Sequence, residues 1–275
     1  MPLLSSRPMN QCLSLCGVWK SFDAGVRGCS ASVSVLRDVH LDVDAGTMVG
    51  IAAAPASGKT TLLMCAGGML RPDRGTVSWF GAAQRHDHSA RPEGIAFAGD
   101  RPFPYGFLTI REAVEYAAIV RDLPIRDAAE RVRSELERVA IAAIAHRRVD
   151  TLDGNALARL AVATALLARA RLMLVDDFAP GCDTDTAEAL LAVLRDVARE
   201  GAGVVIAGRF VARLCAGAGR ADDRVTLLML AGGRLEPIAD PTDALARRAV
   251  TPLPHPHARV AELSPPSAAR ENGAR

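Results

Sequence analysis

The chain has 275 residues, 49% of them apolar and 23% charged. That composition is enough to build a packed core and excludes a disordered or collagen-like main body. With 33 basic against 31 acidic residues the net charge is +2, so the chain lacks the polycationic signature of a nucleic-acid binder.

One skew matters. Lysine occurs only at Lys20 and Lys59, so 31 of the 33 basic residues are arginine, and a retained lysine marks a place where a planar fork would not serve. No run reaches the roughly 18 apolar residues of a spanning helix; Ala161 to Ala168, for example, is closed off by Arg159 and Arg169. Met1 to Gln11 has one arginine, a proline and no continuous apolar stretch, which reads as a poor signal peptide and a chain that stays in the cytosol. Cys12, Cys16, Cys29, Cys65, Cys182 and Cys215 show no paired CxxC spacing and read as free, buried thiols.

In chain order, residues 12–18 and 33–43 have the look of an antiparallel strand pair. Residues 47–53 form an apolar strand, 54–58 a loop, and 59–70 a helix closed by Arg71-Pro72. A strand over 76–80 leads into a polar connector over 81–92. Helices follow over 110–121 and 124–144, the second with Val132, Leu136, Val139, Ala140 and Ala143 at helical spacing. Residues 153–168 make another helix, 171–175 a buried strand, 184–199 a helix, and 203–207 and 225–230 two more strands. Strands alternating with helices predict an α/β core with a mainly parallel sheet, into which about 105–160 insert a helical unit. Residues 1–11 read as an extension, 12–248 as the domain, and 249–275 as a disordered tail of Pro, His, Ala and Arg.

Ser57-Gly58-Lys59-Thr60-Thr61 lies where an apolar strand turns into a helix, the context in which backbone N–H groups converge on a phosphate. There a lysine reaches the β and γ phosphates and the next hydroxyl ligates Mg²⁺. The predicted nucleotide cradle is Ala53, Ala54, Pro55, Ala56, Ser57, Gly58, Lys59, Thr60 and Thr61. Two glycines of the usual pattern are missing from it, replaced by Ala53 and Ala56, and Pro55 offers no N–H. Downstream, Leu172 to Asp177 is an apolar strand ending in two carboxylates, as expected of a strand that presents an acid to Mg²⁺ beside the phosphates. Thr60 and Asp176 are thus the candidate metal ligands.

With these parts in place, residues 12–240 resemble the nucleotide-binding subunit of ATP-binding cassette (ABC) transporters. The similarity runs through Phe22 at the position that stacks adenine, the phosphate loop, and Leu70-Arg-Pro-Asp-Arg-Gly-Thr-Val77. It continues through Phe103-Pro104, Leu108-Thr-Ile-Arg-Glu112, the signature segment Leu152-Asp153-Gly154-Asn155-Ala156, the Asp176-Asp177 strand, Gly181-Cys-Asp183, Val204 to Ala207, and a closing hairpin at Gly232 to Glu236 before Pro241 to Leu245. The resemblance implies a P-loop NTPase core with a small antiparallel β subdomain and an inserted helical subdomain, using ATP and Mg²⁺. It also implies a homodimer or a heterodimer with another ATP-binding subunit, and a separate transmembrane permease. Such a chain sits peripherally on the cytoplasmic face of the inner membrane. Leu70 to Val77 and Ala118 to Arg121 look closer to export cassettes with separately encoded membrane proteins. Phe107, Leu108 and Tyr116 on the insertion read either as candidates for docking the permease or as packing of the insertion's own core.

The departures bear on function. The glutamine that senses the γ-phosphate in the family aligns with Ala98. The signature serine, a phosphate donor across the family's dimer, is Asp153, whose carboxylate repels phosphate. The catalytic glutamate is Asp177, one methylene short, and the switch histidine is Arg209, which cannot exchange a proton near neutral pH. The catalytic candidates are therefore Asp177 and Arg209. Two functions stand: an ATPase subunit with weakened hydrolysis, or a pseudo-ATPase acting as structural or regulatory partner. Asp183 reads either as a dimer contact or as a helix cap. His86, His88, His255 and His257 read as solvated side chains, and Asp222 and Asp223 as a surface turn.

Overall fold

The computed structural model describes residues 10–23, 32–83, 93–99, 105–121, 123–211, 213–216 and 224–238. Cys29, the four histidines just named, Asp222, Asp223, Phe103, Pro104, Pro241 to Leu245 and the tail lie outside the described residues.

Three antiparallel pairings build the first layer. Strands β1 (Gln11–Asp23) and β2 (Ser32–Asp44) pair along their lengths, β4 (Arg74–Trp79) pairs with the other edge of β1, and β5 (Ala82–Ala83) closes the sheet, giving the order β2-β1-β4-β5. Alternating burial along β2 fits a sheet covered on one face only.

The second sheet has the order β10-β9-β3-β8-β7-β6. Its members are β3 (Thr47–Ala53), β6 (Ile95–Ala98), β7 (Leu172–Asp176), β8 (Gly203–Ala207), β9 (Arg224–Ala231) and β10 (Arg234–Pro237). All neighbours run parallel except β10 against β9. Every residue of β7 and β8 is buried, as strands covered on both faces require. One hydrophobic cluster joins this sheet to β1, β2, β4 and the helix after β3; the other joins its opposite face to the remaining helices. Parallel strands place their C-terminal ends on one edge, so the turns after β3, β7 and β8 come together there.

Helix α1 (Lys59–Ala66) is shorter than the sequence predicts. The chain leaves it through Gly67 and Gly68, the latter at φ 71°, a conformation that continues no helix. Helix α2 (Ile110–Ile119) begins with a reciprocal capping box between Thr109 and Glu112. Helix α3 (Ile125–Arg138) also stops early. Ala140 takes φ 55°, which swings Ile141 into the core, and Arg159 Nη1 satisfies the freed Val139 carbonyl at 2.6 Å. Single-turn 3₁₀ segments at Ala142–Ile144 and Val149–Thr151 lead to α4 (Gly154–Leu166), with α5 (Thr184–Arg199) and the short α6 (Arg213–Ala216) beyond. Helices α2, α3 and α4 pack on one another, and α4 carries this unit onto β6. No helix among the described residues is long and apolar enough to cross a membrane.

Candidate functional site

The turn from β3 into α1 is shaped by two residues at positive φ. Gly58, at φ 99°, lies so close to β2 that a Cβ there would meet Val35 Cγ1 at 2.5 Å. Ala56 holds φ 58° with a side chain, a strain of about 1–2 kcal/mol that a glycine would not carry. Inside the turn Ser57 N–H donates to Ala54 O at 3.3 Å, while the buried Ser57 Oγ has no hydrogen-bond partner. Ala53 and Ala54 are half-buried, Pro55 and Ala56 exposed.

Lys59 folds back over this turn. Its Nζ donates to Ala54 O at 2.8 Å and to Ala53 O at 3.4 Å. Burial pushes its pKa below the ordinary lysine value, and the nearby Asp177 and Asp176 carboxylates work against that shift. Both acids therefore act on the ammonium through space. No side chain caps the N-terminus of α1, whose first turn carries Thr60, exposed, and Thr61, half-buried.

At the end of β7, Asp176 is buried opposite Ala207 in the register with β8. Asp177 leaves the strand at φ 57°, with its N–H on Ala207 O at 2.7 Å. Its carboxylate accepts from Phe178 N–H at 2.8 Å and from Arg209 N–H at 3.4 Å, and Arg209 Nε stands 3.9 Å from Oδ1. Arg209 also donates to Ala179 O at 2.9 Å. The two candidate catalytic residues are thus brought together, each engaged with the other and with the segment after β7.

The signature segment is organised differently. Asp153 is the N-cap of α4, its Oδ1 accepting from Ala156 N–H at 2.8 Å. Leu152 is half-buried against the core and Ala156 is buried. Asn155 Nδ2 donates to Asp183 Oδ2 at 2.6 Å while Asn155 Oδ1 accepts from Asp183 N–H at 2.8 Å. Asp183 caps α5 through Thr186 N–H at 2.8 Å, so the capping role is realised. The contacts of Asp153, Gly154 and Asn155 run within α4 and to residues 180–183.

Phe22 ends β1 and is 42% exposed, with Lys20 Nζ 5.6 Å from its ring centroid. Lys20 is itself paired with Asp73 at 2.7 Å, which explains the second retained lysine as a clasp between β1 and the segment before β4. On the helical unit, Phe107 is 65% exposed and stands 5.9 Å from the Tyr105 ring, which meets Tyr116 edge-on at 5.6 Å. Leu108, grouped with them from the sequence, takes the packing alternative and lies against the core. Cys12, Cys65 and Cys182 are free and buried, Cys16 free and exposed; burial pushes the Cys65 thiol up to about 12.

The residues fit a magnesium nucleotide. The turn supplies an orphaned hydroxyl on Ser57, a desolvated ammonium on Lys59 and an uncapped helix start. Thr60 and Asp176 offer the hard oxygen donors that Mg²⁺ takes. The structure brings these sequence-predicted positions to one edge of the sheet; sequence reasoning missed the Asn155–Asp183 pair, because nothing in a single sequence links residues 28 positions apart. A polar amide in the signature segment was the one available signal.

The chain matches the ABC transporter family model over residues 36–179. It is 31% identical over 185 residues to a phosphonates import ATP-binding protein of Ruegeria sp. (strain TM1040), covering 60% of this chain and 69% of that protein. It is also 31% identical over 199 residues to a macrolide export ATP-binding/permease protein of Bordetella avium (strain 197N), covering 70% of this chain but only 30% of the relative. Among solved structures, the dimeric post-hydrolysis state of the ATP-binding cassette MJ0796 bound to ADP and Pi superposes with a TM-score of 0.69. That likeness covers 82% of this chain and 96% of the other at 22% identity, and concerns the fold.

Proposed function

We propose, since this chain belongs to the ABC transporter family, that it is an ATP-binding subunit with weakened hydrolysis. In this reading it holds Mg-ATP at an interface with a second cassette and drives a separate transmembrane permease. The observation that carries the reading is Lys59: a half-buried ammonium whose hydrogen bonds among the described residues go to two neutral carbonyls of its own turn, with the Asp177 and Asp176 carboxylates acting on it through space. A phosphate oxygen is a stronger acceptor for an ammonium than a peptide carbonyl is, so an incoming triphosphate competes for it on favourable terms.

The roles follow from chemistry at each atom. Ser57 Oγ and the N–H groups at the start of α1 donate to phosphate oxygens. Thr60 and Asp176 would hold Mg²⁺, which when bound would supply neutralisation of the phosphate charge. Phe22 offers its exposed ring to the adenine. In this reading Asp177 is the carboxylate that accepts a proton from water, and Arg209 the donor that reaches a phosphate. Both start from engagements that weaken them: Asp177 is spent on Phe178 N–H and Arg209, and Arg209 on Ala179 O. The direction is export, on the resemblance of Leu70–Val77 and Ala118–Arg121, and the Tyr105–Phe107–Tyr116 surface meets the permease.

Calorimetric titration of Mg-ATP together with ATP turnover tests the reading, with Lys59→Ala as control. Micromolar binding and slow turnover, both lost in the control, are expected. Binding without turnover in the presence of a complete partner cassette gives instead the pseudo-ATPase, the second reading, which the mutual engagement of Asp177 and Arg209 favours. No binding at all defeats both.

A further inference from the structure

Asn155 spends both ends of its amide on one residue: Nδ2 on the Asp183 carboxylate at 2.6 Å and Oδ1 on the Asp183 N–H at 2.8 Å. No other assignment of the amide satisfies both partners, since a carboxylate oxygen only accepts and an N–H only donates. The other carboxylate oxygen of Asp183 meanwhile accepts from Thr186 N–H at 2.8 Å. One side chain therefore holds the start of α5 and, through Asn155, the first turn of α4. Gly154 is what allows the approach, because a Cβ there would lie 2.2 Å from Pro180 O.

The segment between Asp177 and Asp183 is consequently fastened at three places. Asp177 N–H is tied to Ala207 O at 2.7 Å, Arg209 holds Ala179 O at 2.9 Å, and Asn155 holds Asp183. The first two fastenings come from the sheet side, β8 and the turn after it. The third comes from α4, which packs against α2, α3 and β6 and so returns the helical unit to the core. Without Asn155, a hydrogen-bonded link from α4 to this strap is lost, and the close contact of Gly154 on Pro180 is left unfastened.

We propose that Asn155 is a positioning residue that fastens the helical unit to the strap carrying Asp177, so that the placement of Asp177 and Arg209 at the nucleotide follows α4. This rests on the reading above that those two residues act on the triphosphate. The Asp183 carboxyl supports it: Thr186 N–H and the Asn155 amide, in that order, hold it below the usual carboxylate range, as expected of a carboxylate that accepts from both.

The test exploits the polarity of the pair. Asn155→Asp sets carboxylate against carboxylate, and Asp183→Asn sets amide NH₂ against amide NH₂ while keeping an oxygen for the α5 cap. The double exchange restores donor to acceptor with the charge moved to the other side. On the full chain assembled with its partner cassette, each single variant is expected to lower kcat for ATP about tenfold with KM within about twofold, and the double variant to recover most of the loss. Amide hydrogen exchange over residues 178–183 is expected to rise in each single variant and to return in the double. Single variants that leave kcat unchanged, or a double variant that falls further, overturn the proposal. A wild-type chain without turnover defeats the functional reading instead; the fastening is then decided by exchange, and unchanged protection in the single variants overturns it.

Discussion

Two helix N-termini in this molecule are built in opposite ways. Helix α1 starts with no side-chain cap beside an ammonium, whereas α4 starts under the carboxylate of Asp153. An open helix start attracts an anion through its unsatisfied N–H groups and the macrodipole. A start already capped by aspartate has used that attraction on its own chain and presents negative charge outward. The first can hold a phosphate and the second turns one away. The departures seen in the sequence thus fall unevenly: in the proposed reading the turn before α1 has lost two glycines but keeps Lys59, Thr60 and Asp176 beside it, whereas the start of α4 carries a carboxylate at Asp153.

The sharpest way to break this contrast is Lys59→Ala. It removes the only ammonium of the turn, a charge-assisted donor of about 2–3 kcal/mol, so Mg-ATP affinity should fall about a hundredfold in calorimetry. The side chain is half-buried at the surface of the turn, and its removal leaves no large cavity, so thermal stability is expected to hold within about 1 kcal/mol. Retained affinity would mean that the open start of α1 alone, or no part of this turn, holds the nucleotide.

Asp153→Ser converts the second helix start toward the first. Serine caps as well as aspartate to within a few tenths of a kcal/mol, so the fold stays and only the charge goes. ATP-dependent association of two cassettes, followed by sedimentation, should strengthen about tenfold, the value of removing one like-charge contact of roughly 1.4 kcal/mol. If association does not respond to the change, the Asp153 carboxylate is not what closes that face, and the contrast between the two helices loses its functional meaning.

How much of this was written in the sequence depends on the range of the interaction. The strand, turn and helix around Lys59 were legible because they are contiguous, and the parallel sheet was legible because β3, β7 and β8 are short unbroken apolar runs. The end of α3 was not: Val132, Leu136, Val139, Ala140 and Ala143 keep helical period past Arg138, but burying Ile141 bends the chain at Ala140. Tertiary packing overrode periodicity there. Strand β6 is four residues long and gave no signal until β7 paired with it. At the site, residue types were legible and partners were not. Asp177 and Arg209 were recognisable as substitutions, but that each would engage the other is set by the turn geometry after β7 and β8.

The smallest expected effect asks whether the open helix start has a cost of its own. Ala56 holds φ 58° in the turn from β3 into α1, where an L side chain is strained by about 1–2 kcal/mol. Ala56→Gly relieves that strain and in exchange gives the unfolded chain more freedom, a penalty of about 0.4–1 kcal/mol. The net gain in stability is about 0.5–1 kcal/mol, readable as a shift of the denaturation midpoint without a change in slope. Because Ala56 is exposed, no packing is lost to obscure the result. Affinity for Mg-ATP should rise together with stability if the strain is greater when a phosphate is held, and stability alone should rise if the turn keeps one shape throughout. A loss of stability would show that Ala56 sits at ease at positive φ, and that this turn accommodates alanine where the family pattern has glycine because its backbone, unlike the capped start of α4, is free to yield.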